Sequence, residues 1–309
     1  MIGRIVEVAD DKRHLFLSRG FLVVQDTEGE RKELGQVPLD DVAAVIANAH
    51  GLSYTNNLLV ALAERCAPVV LCAANHNAVG MVLPIDGNYQ QAKRFDAQLA
   101  ASQPLIKRLW ADIVKSKLQQ QAVALEAVGA PFVPLQALVR KVRSGDPDNF
   151  EAQGARRYWG LLFGEDFRRD QQAGGLNAML NYGYTVLRAT TARAVVAAGL
   201  HPTMGLHHSN AGNAMRLVDD LMEPFRPMID LKVWQLHQHG EDQVTPDSKR
   251  ALVRSLYDDM QTNEGATPVM VCTQKLATSL AQIYLGEKEK LDLPLPGLPL
   301  NLASSFQDD

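Results

Sequence analysis

Two adjacent histidines, His207 and His208, precede three carboxylates, Asp219, Asp220 and Glu223, and an arginine, Arg226, in the stretch GLHHSNAGNAMRLVDDLMEPFRP (205–227). Helical neighbours three or four apart share a face, which sets Glu223 beside both Asp219 and Asp220. The acids then gather against an apolar stripe of Met215, Leu217, Val218, Leu221, Met222 and Phe225. Carboxylates crowded on a half-buried face repel one another unless a proton or cation compensates, and imidazoles close in sequence make a divalent metal the economical compensation. The alternative is a helix whose acids simply face water. Pro224 and Pro227 deprive the carbonyls of Asp220 and Glu223 of their helical partners, so a long regular helix is not expected. A kink or a fresh start at Glu223 would aim its carboxylate away from the Asp219 side.

These groups sit in a chain of 309 residues, 46% hydrophobic and 21% charged, enough for a substantial core divided between two domains. The net charge of −4 argues against a uniformly basic coat for nucleic acid, while leaving room for a local basic face. Cys66, Cys72 and Cys272 are odd in number, lack CxxC spacing and lie in apolar surroundings, as expected of reduced core thiols in the cytoplasm. No apolar run approaches the length of a bilayer span, and the opening residues lead into a strand pattern. A soluble cytoplasmic protein with no membrane contact is the expectation.

In chain order, Arg4 to Ala9, Leu15 to Val24 and Val42 to Ala47 read as strands, with a turn at Asp26-Thr27-Glu28-Gly29. Ser53 is placed to cap a helix running to about Arg65, and Pro68 to Cys72 and Val79 to Pro84 read as further strands around Asn75-His76-Asn77. His76 is turn chemistry and receives no role. Composition shifts between residues 85 and 92, near Asp86-Gly87-Asn88, and the remainder reads as helical almost throughout.

Residues 93 to 117 carry Lys93, Arg94, Lys107, Arg108, Lys115 and Lys117 against only Asp96 and Asp112, a basic asymmetry in an acidic chain. Trp110 lies among these cations and can stack on a base, but its spacing with Ile106, Ile113 and Val114 equally suits the core. Arg140, Lys141 and Arg143 lead into the loop Ser144 to Asn149, after which a helix opens with Phe150-Glu151. An isolated glutamate there would merely complement the helix dipole. The small-residue helix Leu176 to Ala198 is core, with Tyr182 and Tyr184 reaching either DNA or buried partners. Ser248 to Met260 and Thr267 to Tyr284 read as amphipathic helices, and the end, with Pro294, Pro296 and Pro299, as an extended tail.

The segments SGDPDNFEAQGARRYWGLLFGEDFRRD (144–170), LNAMLNYGYTVLRA (176–189) and 205–227 together resemble the CRISPR-associated integrase, the family that inserts new spacers into CRISPR arrays. The likeness extends to Gln36-Val37-Pro38-Leu39, Ala67-Pro68-Val69-Val70 and Leu109-Trp110 through Lys117, and so covers most of the chain. It implies an α+β fold: a small N-terminal β-rich dimerisation domain (1–88), a larger all-helical catalytic domain (89–290) and a Pro-rich tail (291–309). By motif position it implies metal ligation by Glu151, His208 and Glu223, with Asp220 as a further catalytic acid that orients the nucleophile or supports a second ion. His207 stays a second candidate, since the doubled histidine is resolved only by the usual three-residue step from a glycine. Such an oxygen and nitrogen set suits Mg2+ or Mn2+. Gly174-Gly175, where the family often has proline, departs from the pattern, and the DLMEPFRP details resemble versions that accompany a single large effector nuclease.

What the resemblance implies for function is metal-dependent attack of a DNA 3′-hydroxyl on a phosphodiester at the edge of a repeat. Lys107, Arg108, Lys115, Lys117, Arg156, Arg157, Arg168 and Arg226, with Arg169 and Arg188, are the candidate phosphate contacts, some of which will pair with nearby acids instead. The implied partners are a double-stranded DNA fragment, CRISPR repeat DNA, a second copy of the chain, a small CRISPR adaptation protein and an effector nuclease. A general metal nuclease on branched DNA in repair would share the ligands, and an inactive scaffold would lack them.

Overall fold

The computed structural model describes residues 3–28 and 31–298. Strands β1 (Arg4–Val8), β5 (Val42–Ala47), β7 (Val69–Cys72) and β8 (Ala78–Val82) form one sheet in that spatial order. A second sheet runs β4 (Glu33–Pro38), β3 (Phe21–Asp26), β2 (Arg13–Ser18) and β6 (Leu52–Tyr54). The continuous apolar run of β5 marks it as central, and all six of its residues are buried between parallel β1 and β7. The run expected as one strand from Leu15 to Val24 is instead the hairpin of β2 and β3, folded at Arg19-Gly20, both with positive φ. Helix α1 (Asn56–Glu64) is capped by Thr55, not Ser53, which lies in β6.

The helical part begins with α2 (Gln91–Leu99) and α3 (Gln103–Ala127), and continues through α4 (Val133–Val139), α5 (Phe150–Phe163) and α6 (Leu176–Ala197). Then come α7 (Arg216–Met222), a 3-10 turn (Glu223–Phe225), α8 (Arg226–Gln238), α9 (Pro246–Arg254) and α10 (Val269–Tyr284). The largest core is built around α3 and α6, whose small residues allow close packing from several sides. This part is not all-helical, which corrects the expectation: β9 (Asp259–Thr262) and β10 (Gly265–Pro268) form a hairpin where one amphipathic helix was expected to run to Met260. Asn263 and Glu264 supply a two-residue turn followed by Gly265 with positive φ, a local signal that outweighs helical periodicity in so short a segment.

The first sheet closes onto α6 rather than onto solvent. Ala44, Ile46, Val70 and Cys72 share a buried cluster with Ala189. At its edge Glu7 accepts the Tyr182 hydroxyl at 2.9 Å and pairs with Lys249 at 2.8 Å, while the Thr185 hydroxyl donates to the His76 carbonyl at 2.7 Å. Tyr182 is thus a buried hydroxyl with a partner, and His76 a turn residue whose carbonyl helps seat α6. All three cysteines are free, and burial pushes the Cys72 and Cys272 thiols up to about 12 and about 11. Residues 291 to 298 are extended and packed: the Leu295 amide donates to Gln261 and its carbonyl accepts from Gln120, both at 2.9 Å. The rest of the expected tail lies outside the described residues. No helix among them is long and apolar enough to cross a membrane.

Candidate active site

Glu151 is set by the loop before it. Asp146, buried with positive φ, accepts the amides of Phe150 and Glu151, each at 2.9 Å, and the Asn149 side chain accepts that of Ala152 at 3.2 Å. Two acceptors thereby satisfy the first turn of α5, which otherwise has no intrahelical partners. One turn later, a Cβ on Gly154 would lie 2.2 Å from Leu118 Cδ2, so the glycine lets α5 approach α3 closely. That approach sets Glu151 against Lys117, with which it forms an ion pair.

Glu223 comes from the broken helix. Helix α7 stops at Met222, the 3-10 turn carries Pro224, and α8 restarts at Arg226 with Pro227 in its first turn, as the two prolines predict. The three acids of this segment part company. Asp219 pairs with Arg188 at 2.7 and 2.9 Å and accepts Asn213 at 2.7 Å, whereas Glu223 points inward, 2.5 Å from Lys117 Nζ and 3.0 Å from Arg226 Nε. No acidic stripe exists here, because Asp219 and Asp220 each accept hydrogen bonds from their own donors and Glu223 is compensated by two cations. Burial would raise the Glu223 carboxyl, but Arg226 and Lys117 outweigh it and hold the group below its ordinary range.

His208 is held by Asp220, which is fully buried. Its Nδ1 lies 2.6 Å from Asp220 Oδ1, and the same carboxylate accepts the amides of Leu206, His207 and His208 at 2.6, 3.1 and 3.3 Å. The bond to Asp220 leads in raising the His208 pKa above the ordinary histidine value. Asp220, enclosed by these donors, clamps the loop and has no face open to a nucleophile or a second ion. Gly205 makes the clamp possible, since a Cβ there would sit 2.7 Å from Asp220 Oδ2. His207 turns the other way, its ring lying parallel on Trp110 at 4.4 Å. Trp110 is therefore core, not a surface for stacking a base.

The basic candidates divide. Lys107 and Arg108 are exposed on the first half of α3, Lys115 is half-buried 4.0 Å from Asp112, and Arg156 and Arg157 are exposed on α5. Arg168 is exposed, but its guanidinium folds back on the carbonyls of Glu165 and Phe167. Lys117 and Arg226 depart from the expectation, because Lys117 is spent on Glu151 and the buried Glu223, Arg226 on Glu223, and neither is a free surface cation. Lys117 continues the core stripe of Trp110, Ile113, Val114 and Leu118, a position at which a cation must find buried acids. That placement was the sequence signal for its role. Asp230 carried no such signal: it is buried, accepts the Tyr184 hydroxyl and has its carboxyl pushed by burial up to about 7. On the far side of Arg226, a cavity of about 370 Å³ is lined by Arg169, Arg188, Arg226, Tyr184, Asn181 and Asp219.

Glu151 and Glu223, from elements far apart in sequence, thus meet at one buried cation, with His208 on the adjoining loop. Among the described residues, no three acidic, histidine or cysteine side chains are gathered closely enough to hold an ion as they stand. The chain matches the family model described as CRISPR associated protein Cas1 over residues 6–251. It is 36% identical over 291 residues to the CRISPR-associated endonuclease Cas1 of Neisseria meningitidis serogroup C, an alignment covering 93% of this chain and 94% of that one. Among solved structures, a casposase bound to integration product matches with a TM-score of 0.79 at 20% identity, over 94% of this chain and 93% of that chain. A Cas6-RT-Cas1–Cas2 complex matches with a TM-score of 0.76 at 17% identity, over 96% of this chain and 36% of the other. These two likenesses speak to the fold, whereas the family match and the Neisseria relative speak to descent, and together they make this chain a member of the Cas1 family.

Proposed function

We propose that this chain is a divalent-metal-dependent DNA endonuclease and integrase that joins captured DNA fragments to the ends of a CRISPR repeat. The observation that carries the reading is the meeting of Glu151 and Glu223 on one buried cation beside an imidazole braced by Asp220. Two hard oxygen donors and one imidazole nitrogen suit Mg2+ or Mn2+, and the ammonium already drawn to the point between the carboxylates is evidence that a cation is favoured there. Glu151, His208 and Glu223 would hold the ion, with His208 offering Nε2 because Nδ1 is committed to Asp220. When bound, such an ion supplies charge neutralisation at the phosphodiester and activation of an attacking oxygen.

The chain's own residues account for positioning. Asp220 fixes the tautomer and direction of the His208 ring, Asp146 fixes the first turn bearing Glu151, and the 3-10 turn aims Glu223. Exposed Arg156 and Arg157 on α5 would give a DNA strand leading to the site its guanidinium contacts, whereas Arg188 and Arg226, which line the neighbouring cavity, are held by Asp219 and Glu223. In the joining step the 3′-hydroxyl oxygen of the fragment forms a new bond to the phosphorus at the repeat edge as that phosphorus loses its bond to the 3′ oxygen of the neighbouring nucleotide. The attacking hydroxyl gives up its proton to solvent and the departing 3′ oxygen takes one up, and the phosphodiester count is unchanged. Two such joins are needed to insert a double-stranded fragment. That requirement supports a homodimer, and the structural neighbour solved as a Cas6-RT-Cas1–Cas2 complex supports a partner protein working with it.

A strand-transfer assay on supercoiled DNA carrying a CRISPR repeat, with and without the small partner, tests the reading. Joining at the repeat edges that disappears in Glu151→Gln, His208→Ala and Glu223→Gln, with folding and DNA binding retained, is the expected result. Hydrolysis of branched DNA without site-selective joining would replace it with a general repair nuclease. Full activity in Glu223→Gln would remove the ligand assignment, and a larger loss in His207→Ala than in His208→Ala would exchange the two histidines.

A further inference from the structure

The point at which Glu151 and Glu223 meet is filled by a side chain of the protein itself. Lys117 reaches it from the core-facing side of α3, is 6% exposed, and ion-pairs with Glu151 and, at 2.5 Å, with Glu223 Oε2. Arg226 flanks the same glutamate at 3.0 Å. Two carboxylates brought together with little solvent need such compensation, and the ammonium holds them in register. A small divalent ion sits about 2.0–2.1 Å from carboxylate oxygens in magnesium sites. If both glutamates bound one, it would stand where the ammonium stands now. The two cations cannot share that point, and they repel each other strongly in so poorly hydrated a place.

Resting on the metal-site reading above, we propose that Lys117 is a positioning residue that competes with the divalent ion for Glu151 and Glu223, so that the ion is admitted when DNA phosphate draws the ammonium away. The asymmetry of the pair gives the ammonium a route. The Glu223 side chain is 5% exposed and that of Glu151 27%, so the open side of the site lies at Glu151. Helix α5, which carries Glu151, also carries exposed Arg156 and Arg157 that would bring a phosphate backbone alongside. A lysine suits this exchange, because its point charge on a flexible four-carbon stem can leave one oxygen cluster for another. The arrangement makes metal loading and DNA binding reciprocal, each strengthening the other.

Mn2+ binding to the full chain, read as loss of the free-ion paramagnetic resonance signal, tests this without any turnover. Wild type, Lys117→Met, Lys117→Arg and Glu223→Gln are titrated with Mn2+ alone and again with a short DNA duplex whose own Mn2+ uptake is subtracted. Wild type should bind Mn2+ weakly alone and at least about tenfold more tightly with the duplex, as removal of a facing like charge requires. Lys117→Met should reach the tighter value without DNA and gain little from it. A Lys117→Met protein that binds Mn2+ no better than wild type overturns the proposal. Should that variant fail to fold, Lys117→Arg decides: it keeps the charge and fills the gap with a broader cation, so weaker Mn2+ binding than wild type supports the competition, and equal or tighter binding overturns it. Unaltered binding in Glu223→Gln would instead bring down the metal-site reading itself, whereas loss there without a gain in Lys117→Met would bring down only the role of Lys117.

Discussion

Asp220 Oδ1 lies 2.6 Å from His208 Nδ1, and the wholly buried carboxylate also receives the amides of residues 206 to 208. One acid thereby fixes the loop and its ring together, and it favours the imidazolium form. An imidazolium cannot ligate a metal, so joining should rise with pH, with a midpoint that lies higher, at a fixed metal concentration, than a histidine without the Asp220 partner would give. Asp220→Asn keeps an acceptor but removes the charge. It should shift that midpoint to lower pH and reduce the maximal rate about 10- to 100-fold. Rate measured against pH for both proteins checks this, and a midpoint that stays or climbs contradicts it.

The exposed cations at the start of α3 and on α5 should carry sequence-independent affinity for DNA. Lys107→Glu with Arg108→Glu, and separately Arg156→Glu with Arg157→Glu, should weaken duplex binding and flatten its dependence on salt. Each lost phosphate contact lowers the slope of log affinity against log salt by about 0.9. An unchanged slope would assign that face to solvent or to protein contacts. Lys117 is excluded from this set because it is itself buried and already paired with Glu151 and Glu223.

Two glycines hold the site's spacing. In Gly154→Ala the new carbon meets the end of the Leu118 side chain at 2.2 Å, which should cost about 1–3 kcal/mol of stability and widen the gap between Glu151 and Lys117. In Gly205→Ala it meets the Asp220 carboxylate at 2.7 Å and the His208 carbonyl at 3.1 Å. These are fixed groups, so the histidine loop must shift. Gly205→Ala should therefore lose more joining activity than Gly154→Ala for the same loss of melting temperature, and equal ratios of the two losses would argue against the clamp.

Asp230 gives stability its own pH dependence. Burial pushes its carboxyl up to about 7, so the folded state keeps the proton to a higher pH than the unfolded chain does. Its contribution is fully present below the unfolded carboxylate value and is lost as pH rises through about 7. Asp230→Asn, which can still accept the Tyr184 hydroxyl, removes the charge. The variant should gain on wild type between about pH 5 and about pH 8 in thermal melts, and parallel curves would show that the buried carboxylate stays ionised.

Local chemistry determined much of this protein in the sequence itself. Val42 to Ala47 reads as a buried strand because it is apolar throughout, the loop 144–149 and the helix after it are written in Asp, Asn and Gly, and Pro224 with Pro227 breaks the helix at Glu223 by removing amides. The motifs also pointed to Glu151, His208 and Glu223 as one set. What neighbours in sequence could not decide was the pairing of charges across the fold. Asp219, Asp220 and Glu223 look alike on a helical projection, yet one meets Arg188, one closes the histidine loop and one meets Lys117 and Arg226. Lys117 looked like part of a basic face, and only the packing of α3 against α5 and the turn at Glu223 made it the cation of the site. The reason is physical: backbone signals act over a few residues, whereas the cost of burying a charge is met by whichever opposite charge the tertiary fold brings within reach.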